Sequence, residues 1–356
     1  MKRILVVITT GFVSYGGLTT VAMNYYRKIN MEKYTMDFAS VNEVPENLCI
    51  ELQSNGSKYY KLPNRKNIIS YMRQLALISK SYDIVHIHAN SATATIELFA
   101  TRNVPKRIVH IHNTTCKHKF VHKALHPLFV HMYTNAIACS DLAGTWIFKK
   151  NEYSIINNAI DIERYSFSEH NRNIIRSKYG LTDEFIIGHV GKINQQKNHL
   201  FMIEVFNAFL KSFPNSKLML VGEGDLRYEV EKKIEELNIK DNVILCGMVL
   251  DASIYYSAFD CVLFPSLWEG LPLALIEAQA CGLPCIVADT ITKEVDMNGC
   301  IWQTLENDVD SWVEDIIQAK KKDRKELIKI CRDKIVDAGF SVDRNVLELE
   351  RIYANK

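Results

Sequence analysis

Apolar and polar positions alternate along this chain in two rhythms. In residues 1–165, short apolar runs at 4–8, 36–41, 58–62, 84–88, 107–112 and 136–139 predict strands, and stretches of helical period at 18–29, 68–80, 92–101, 121–133 and 142–148 predict helices between them. Parallel strands need crossover helices and are buried on both faces, so unbroken apolar runs interleaved with helices predict an α/β parallel sheet. Residues 162–183 are polar and mixed and read as a hinge. The strand–helix rhythm then resumes at Phe185, with further strands at 218–221, 243–248, 261–264 and 285–288, and from Asp308 onward the chain reads as charged helix.

Composition changes this picture little. With 356 residues, 47% of them hydrophobic, the chain is long enough for two domains with large cores. The nine cysteines are scattered and form no CxxC pair, so they read as buried thiols in a reducing cytoplasm. Met1-Lys2-Arg3 before an apolar run imitates a signal peptide, but the run is short and no cleavage site follows, so a first strand is expected. No apolar stretch reaches membrane-spanning length. Charge says more. The net value is only +2, yet residues 1–165 hold 20 Lys+Arg against 11 Asp+Glu, while residues 166–356 hold 23 against 30. Eight of the eleven histidines also fall in the first part. A basic half suits nucleic acid or an anionic leaflet carrying a lipid diphosphate, and a solvated basic face is the plain alternative.

The chemistry concentrates in residues 264–278, Phe-Pro-Ser-Leu-Trp-Glu-Gly-Leu-Pro-Leu-Ala-Leu-Ile-Glu-Ala. A buried strand runs into a Pro/Gly loop and then a helix starting near Pro272, where proline's missing N–H has no partner to lose. The free N–H groups of a helix start and its dipole suit phosphate. Glu269 on the loop and Glu277 in the helix offer acceptors for vicinal sugar hydroxyls. Solvated carboxylates on a strand–turn–helix unit would be the plain reading of the pair alone. The whole pattern, P-S-x-x-E-G-L-P-x-x-x-x-E-A with Glu269-x7-Glu277, resembles the signature of the retaining GT-B glycosyltransferases, in the large family 4 of capsule, exopolysaccharide and lipopolysaccharide sugar transferases.

That resemblance implies two Rossmann-like domains facing a cleft. Residues 1–165 would bind the acceptor, 166–340 the nucleotide-sugar, and a helix at 341–356 would pack back on the first domain. Lys192 and Lys197 lie five apart in a polar loop after a strand, ahead of a helix from about Asn198, an N-cap type; both can aim at one anion, and the family uses this pair on the diphosphate. Gly191 precedes them. Gly222-x-Gly224 permits close backbone passage at the nucleotide, and Gly247 and Met248 would border the base. Gly270 and Leu271 belong to the signature loop. Gly16-Gly17 before the first helix fits no dinucleotide fingerprint; it allows close approach of a ligand, or is a tight turn.

Two strand ends carry His-x-His, His86-Ile87-His88 and His110-Ile111-His112, each pair on one face. No carboxylate or Cys clearly completes a metal set. The resemblance favours His112 as the cleft histidine that contacts donor sugar or acceptor, with His88 and Asn113 as neighbours, and leaves His86 and His110 as core histidines. Residues 117–129 form a basic amphipathic stretch with His118, His122 and His126 on one helical face, suited to a membrane surface or to an ordinary half-wet helix. The one Asp-x-Asp, Asp308-Val309-Asp310, opens a helix and reads as a cap rather than a metal site.

The expected activity is retaining, metal-independent transfer of a hexose or N-acetylhexosamine from a nucleoside-diphosphate sugar, with UDP as carrier, to a lipid-linked saccharide. Lys192, Lys197 and the helix start near Leu271 would take the charge of the leaving group in place of a metal. Glu277 would hold the ribose and Glu269 the donor sugar; His112, Lys192, Lys197 and Glu269 are the expected catalytic set. No cofactor and no nucleic acid partner is expected. The location would be cytoplasmic, at the inner face of the membrane if the basic stretch docks there. Two rivals are a GT-B epimerase of nucleotide-sugars and an inert membrane-docking accessory subunit.

Overall fold

The computed structural model describes residues 1–13, 16–116 and 118–355. Ser14 and Tyr15 of the Gly16-Gly17 loop, and Lys117 at the head of the basic stretch, lie outside the described residues. The chain forms two compact units, Met1–Ala159 with Gly339–Lys356, and Ile160–Ala338. The division expected at 165/166 therefore falls at 159/160, and that expected at 340/341 falls at 338/339.

The first unit runs β1 (Lys2–Ile8), α1 (Gly17–Lys28), β2 (Tyr34–Ser40), α2 (Glu46–Ser54), β3 (Tyr59–Lys61), α3 (Ile68–Ser79), β4 (Ile84–Ala89), α4 (Thr95–Ala100), β5 (Lys106–Ile111), α5 (Lys119–Phe129), β6 (Asn135–Ala138), α6 (Asp141–Phe148) and β7 (Ser154–Ile155). The second runs α7 (Glu169–Lys178), β8 (Phe185–Val190), α8 (His199–Ser212), β9 (Ser216–Val221), α9 (Arg227–Glu236), β10 (Val243–Gly247), α10 (Ser253–Ala258), β11 (Cys261–Phe264), α11 (Leu273–Ala280), β12 (Cys285–Ala288), β13 (Cys300–Gln303), α12 (Val309–Ala319) and α13 (Arg324–Asp337). The last helix, α14 (Val342–Ala354), returns to the first unit. There Lys2 and Lys106 donate to the carbonyls of Tyr353 and Ile352 at its C-terminal end, where the helix dipole favours cations.

Both sheets are parallel throughout, in the orders β3-β2-β1-β4-β5-β6-β7 and β10-β9-β8-β11-β12-β13. The central strands are apolar on both faces: Ile4 through Ile8 and Cys261 through Phe264 are all buried, as helices on both sides of a sheet require. Each order reverses direction once, between β1 and β4 and between β8 and β11. At such a point the loops leaving the C-terminal strand ends part and open a crevice.

Residues 162–183, read from the sequence as the hinge, lie within the second unit. Residues 169–178 form α7, capped by Ser168, whose side chain accepts from Asn171 N. Arg172 and Arg176 of that helix donate to the two oxygens of Asp260 at 2.8 and 2.9 Å, and Ile186 N donates to Asp260 Oδ2 at 2.8 Å. Part of the polar composition there serves a half-buried ion-pair network, which apolar periodicity cannot reveal. No helix among the described residues is long and apolar enough to cross a membrane.

Candidate functional site

In the second unit, the reversal of strand order brings together the loops that follow β8 and β11. Asn194 begins the first loop's turn: its side chain accepts from Lys197 N at 3.1 Å and closes a short 3-10 turn at Gln195–Lys197. Asn198, expected as a side-chain cap, instead sits at φ 57 and makes no cap bond, because the turn before it hands the chain to α8 through a left-handed residue that Asn tolerates.

Lys197 Nζ lies 2.6 Å from Glu269 Oε1 and 4.6 Å from the centre of the Phe264 ring. Gln196 ties the second loop from the other side. Its Nε2 donates to Glu269 Oε2 and to Trp268 O at 2.9 Å each, and its carbonyl accepts from Leu267 N at 2.8 Å. The side chains of Lys197 and Glu269 are 13% and 8% exposed, so this pair is largely out of water. Lys192 behaves differently. It is exposed and pairs with Asp225 at 2.8 Å, on the loop after β9.

The glycines explain how three loops approach so closely. A Cβ on Gly222, at φ 142, would stand 2.0 Å from Gly191 O, and one on Gly224 would stand 2.0 Å from Ile193 O. Gly222 N donates to Gly247 O at 2.9 Å, so Gly191, Gly222, Gly224 and Gly247 form one nest of crossing backbone. Met248 beside it is exposed. Gly270 faces open space. Helix α11 begins after Pro272 with no side-chain cap and no acidic residue in its first turn; Leu275 N turns back onto Pro272 O at 3.1 Å, and the amides of Leu273 and Ala274 before it have no intrahelical partner.

Glu277 is buried one turn into α11, and Tyr256 donates to its Oε2 at 2.9 Å. Burial raises its carboxyl above the ordinary range, while the Tyr256 and Tyr165 hydroxyls and the Arg164 guanidinium pull the other way. Arg164 is itself held by Asp251 at 3.1 Å. Sequence reasoning singled out neither Gln196 nor this Tyr165, Tyr256, Arg164 shell. Nor did it find His189 and His199, buried beneath the loop with rings 5.0 Å apart and kept neutral by burial. Nothing local marks any of them; pairing across the sheet does.

In the first unit, Gly16 is half-buried against Val13, and Gly17 is exposed with nothing near its Cβ position. His112 is held on both sides: Nε2 lies 2.8 Å from His88 Nδ1, and Nδ1 lies 2.7 Å from Asn158 Oδ1. With both ring nitrogens engaged and its pKa lowered to about 4 by burial, the ring in this state has no free nitrogen for proton transfer. Of the three histidines on one face of α5, His122 and His126 turn inward and His118 stays exposed. His126 bonds Ile147 O at 2.7 Å, His122 accepts from Ala92 N and stacks on Trp146, and Phe120, Val121 and Leu128 stand exposed instead. Asp308 caps α12 by accepting from Ser311 N at 2.9 Å, as its position predicted.

Several known proteins are similar to this chain. Residues 171–334 match the family model described as Glycosyl transferases group 1. EpsF of Bacillus subtilis, a glycosyltransferase by name, is 30% identical over 99% of this chain and 96% of its own. An Escherichia coli UDP-Gal:alpha-D-GlcNAc-diphosphoundecaprenol alpha-1,3-galactosyltransferase is 29% identical over 82% of this chain and 80% of its own. HepE of Anabaena, solved with UDP, shares the fold at a TM-score of 0.77 and 15% identity, over 99% of this chain and 100% of its own.

Proposed function

The chain belongs to the group 1 glycosyltransferases, of GT-B fold, and from that premise we propose that it moves a hexose or N-acetylhexosamine from a UDP-sugar to a lipid-linked saccharide during cell-surface polysaccharide synthesis. The observation that carries this reading is the meeting of Lys197 with Glu269 at the strand-order reversal of the second unit, beside a nest of crossing glycine backbone and an uncapped helix start. The names of the relatives, a diphosphoundecaprenol galactosyltransferase among them, and of the UDP-bound structural neighbour support the donor and acceptor classes. Neither rival, epimerase or inert accessory subunit, is favoured by them.

In this reading the diphosphate takes the place beside Lys197 and Lys192 and draws on the free amides of α11. Charge grows on the leaving diphosphate as the glycosidic bond breaks, and preorganised cations and amides stabilise it without reorganisation. No divalent ion is required for that step, because the cations are built in. Glu269, freed from or sharing Lys197, takes donor-sugar hydroxyls and steadies the positive anomeric centre. Glu277 takes the ribose hydroxyls. The transfer retains anomeric configuration. The exposed face of α5, with Lys119, Lys123, Phe120 and Leu128, docks on an anionic leaflet that presents the acceptor.

The experiment is a panel of nucleoside-diphosphate sugars read by calorimetry and by slow donor hydrolysis. One UDP-sugar should bind and hydrolyse, unaffected by EDTA, and the product's anomeric proton should report retention. Silence across the panel would remove the reading, and inversion or EDTA sensitivity would remove its finer parts. Co-sedimentation with anionic vesicles should fall in Phe120→Asp; equal binding by the variant would exclude α5 as the docking face.

A further inference from the structure

Four imidazoles occupy one buried face of the first sheet. Strands β4 and β5 pair with His88 opposite His110, so the period of two places His86, His88, His110 and His112 on the same side. The face is covered by helices: Tyr353 of α14 meets His86, and the ring of Tyr25 of α1 lies 6.5 Å from that of His110. His86, His88 and His110 are each 1% exposed or less. One ring nitrogen from each can be chosen so that all lie within 4.8 Å of one another.

The hydrogen bonds fix which nitrogens are available. Asn158 Oδ1 accepts from His112 Nδ1–H, so His112 Nε2 is an acceptor, and His88 Nδ1–H donates to it. His88 is thereby left with a lone pair on Nε2. His86 Nδ1 is bonded to the Tyr353 hydroxyl at 2.6 Å, which directs its own Nε2 lone pair inward when Tyr353 accepts. An outward N–H held by a neighbouring acceptor is the arrangement that metal-bound imidazoles adopt. Three ring nitrogens, His86 Nε2 and both of His110, are buried with no partner. Orphaned buried polar atoms in one cluster call for an ion or water. A bare stack, such as the 6° alignment of the His86 and His110 rings, leaves all three unpaired.

We propose that His86, His88 and His110 bind one transition-metal cation, Zn2+ by preference, as a structural site in the first unit. An all-imidazole set without carboxylates selects Zn2+, Co2+, Ni2+ or Cu2+ over Mg2+ or Ca2+. The ion ties α14 to the centre of the sheet through the His86–Tyr353 bond. It takes no part in transfer, and the inference stands or falls independently of the proposed activity.

The test uses the full chain, stripped with a chelator and titrated with Zn2+ alone, then with Co2+ as a visible surrogate. One ion per chain should be retained, and the Co2+ spectrum should show tetrahedral absorption without thiolate charge transfer. Tyr353→Phe, which removes only the outer hydroxyl, should weaken binding by about 10–100-fold. His110→Gln should abolish it, with circular dichroism confirming the fold. The double variant His122→Ala/His126→Ala, which removes two half-buried histidines of α5 outside the cluster, should leave binding intact. Absence of a stoichiometric ion in the wild type would overturn the proposal. So would a thiolate spectrum, retention undiminished in both Tyr353→Phe and His110→Gln, or loss only when His122 and His126 are replaced.

Discussion

Replacing Lys197 by Met separates what the Lys197–Glu269 pair does for the fold from what it does for the reaction. The pair is 2.6 Å apart with side chains 13% and 8% exposed. Removing one partner of a buried pair strands the other charge, at a cost of roughly 3–5 kcal/mol. Here Gln196 still donates to Glu269 Oε2, so the lower end, about 3 kcal/mol, is the expectation. For a unit of this size that lowers the melting temperature by roughly 6–12 °C. The double variant Lys197→Met/Glu269→Gln removes both charges and keeps an acceptor for Gln196, so it should recover most of that loss. Transfer should not recover: losing a group that stabilises the leaving diphosphate costs on the order of 10²–10³ in turnover. The assay is urea unfolding of the four proteins of the cycle beside their steady-state transfer rates. A double variant whose loss equals the sum of the two single losses would show that no coupling exists across the two loops. Transfer at the wild-type rate in Lys197→Met would refute the assignment of Lys197 to the diphosphate.

Two further predictions follow from the same unit. Glu277→Gln keeps an oxygen for Tyr256 while removing a carboxylate whose pKa burial has raised, so its stability should equal or exceed that of the wild type while transfer falls by roughly 10²-fold. A raised folded pKa contributes stability below the unfolded value, and that contribution is lost as pH rises through the folded value. The wild type should thus weaken from ordinary carboxyl pH upward relative to Glu277→Gln, and parallel urea midpoints across that range would contradict the burial argument. Gly224→Ala places a Cβ 2.0 Å from Ile193 O, so it should lower stability by about 1–3 kcal/mol and abolish UDP binding, whereas Gly270→Ala, in open space, should leave stability unchanged; calorimetry and thermal melts on the two variants decide the point.

Local pattern alone determined the parallel α/β character, the strand–loop–helix around Glu269 and Glu277, the lysine-bearing loop and the cap at Asp308. These are legible because apolar period, glycine placement and capping chemistry act over a few neighbouring residues. Tertiary structure decided what meets what. The adjacency of β8 and β11, which sets Lys197 against Glu269 and gives Gln196 its role, is a matter of strand order between segments some seventy residues apart. The Tyr165 and Tyr256 shell around Glu277, the helix at 169–178 and the inward turn of the α5 histidines were hidden for the same reason. A polar side chain carries no local mark of whether its partner is water or a distant buried group; only the packed chain supplies that partner, and burial then fixes its charge.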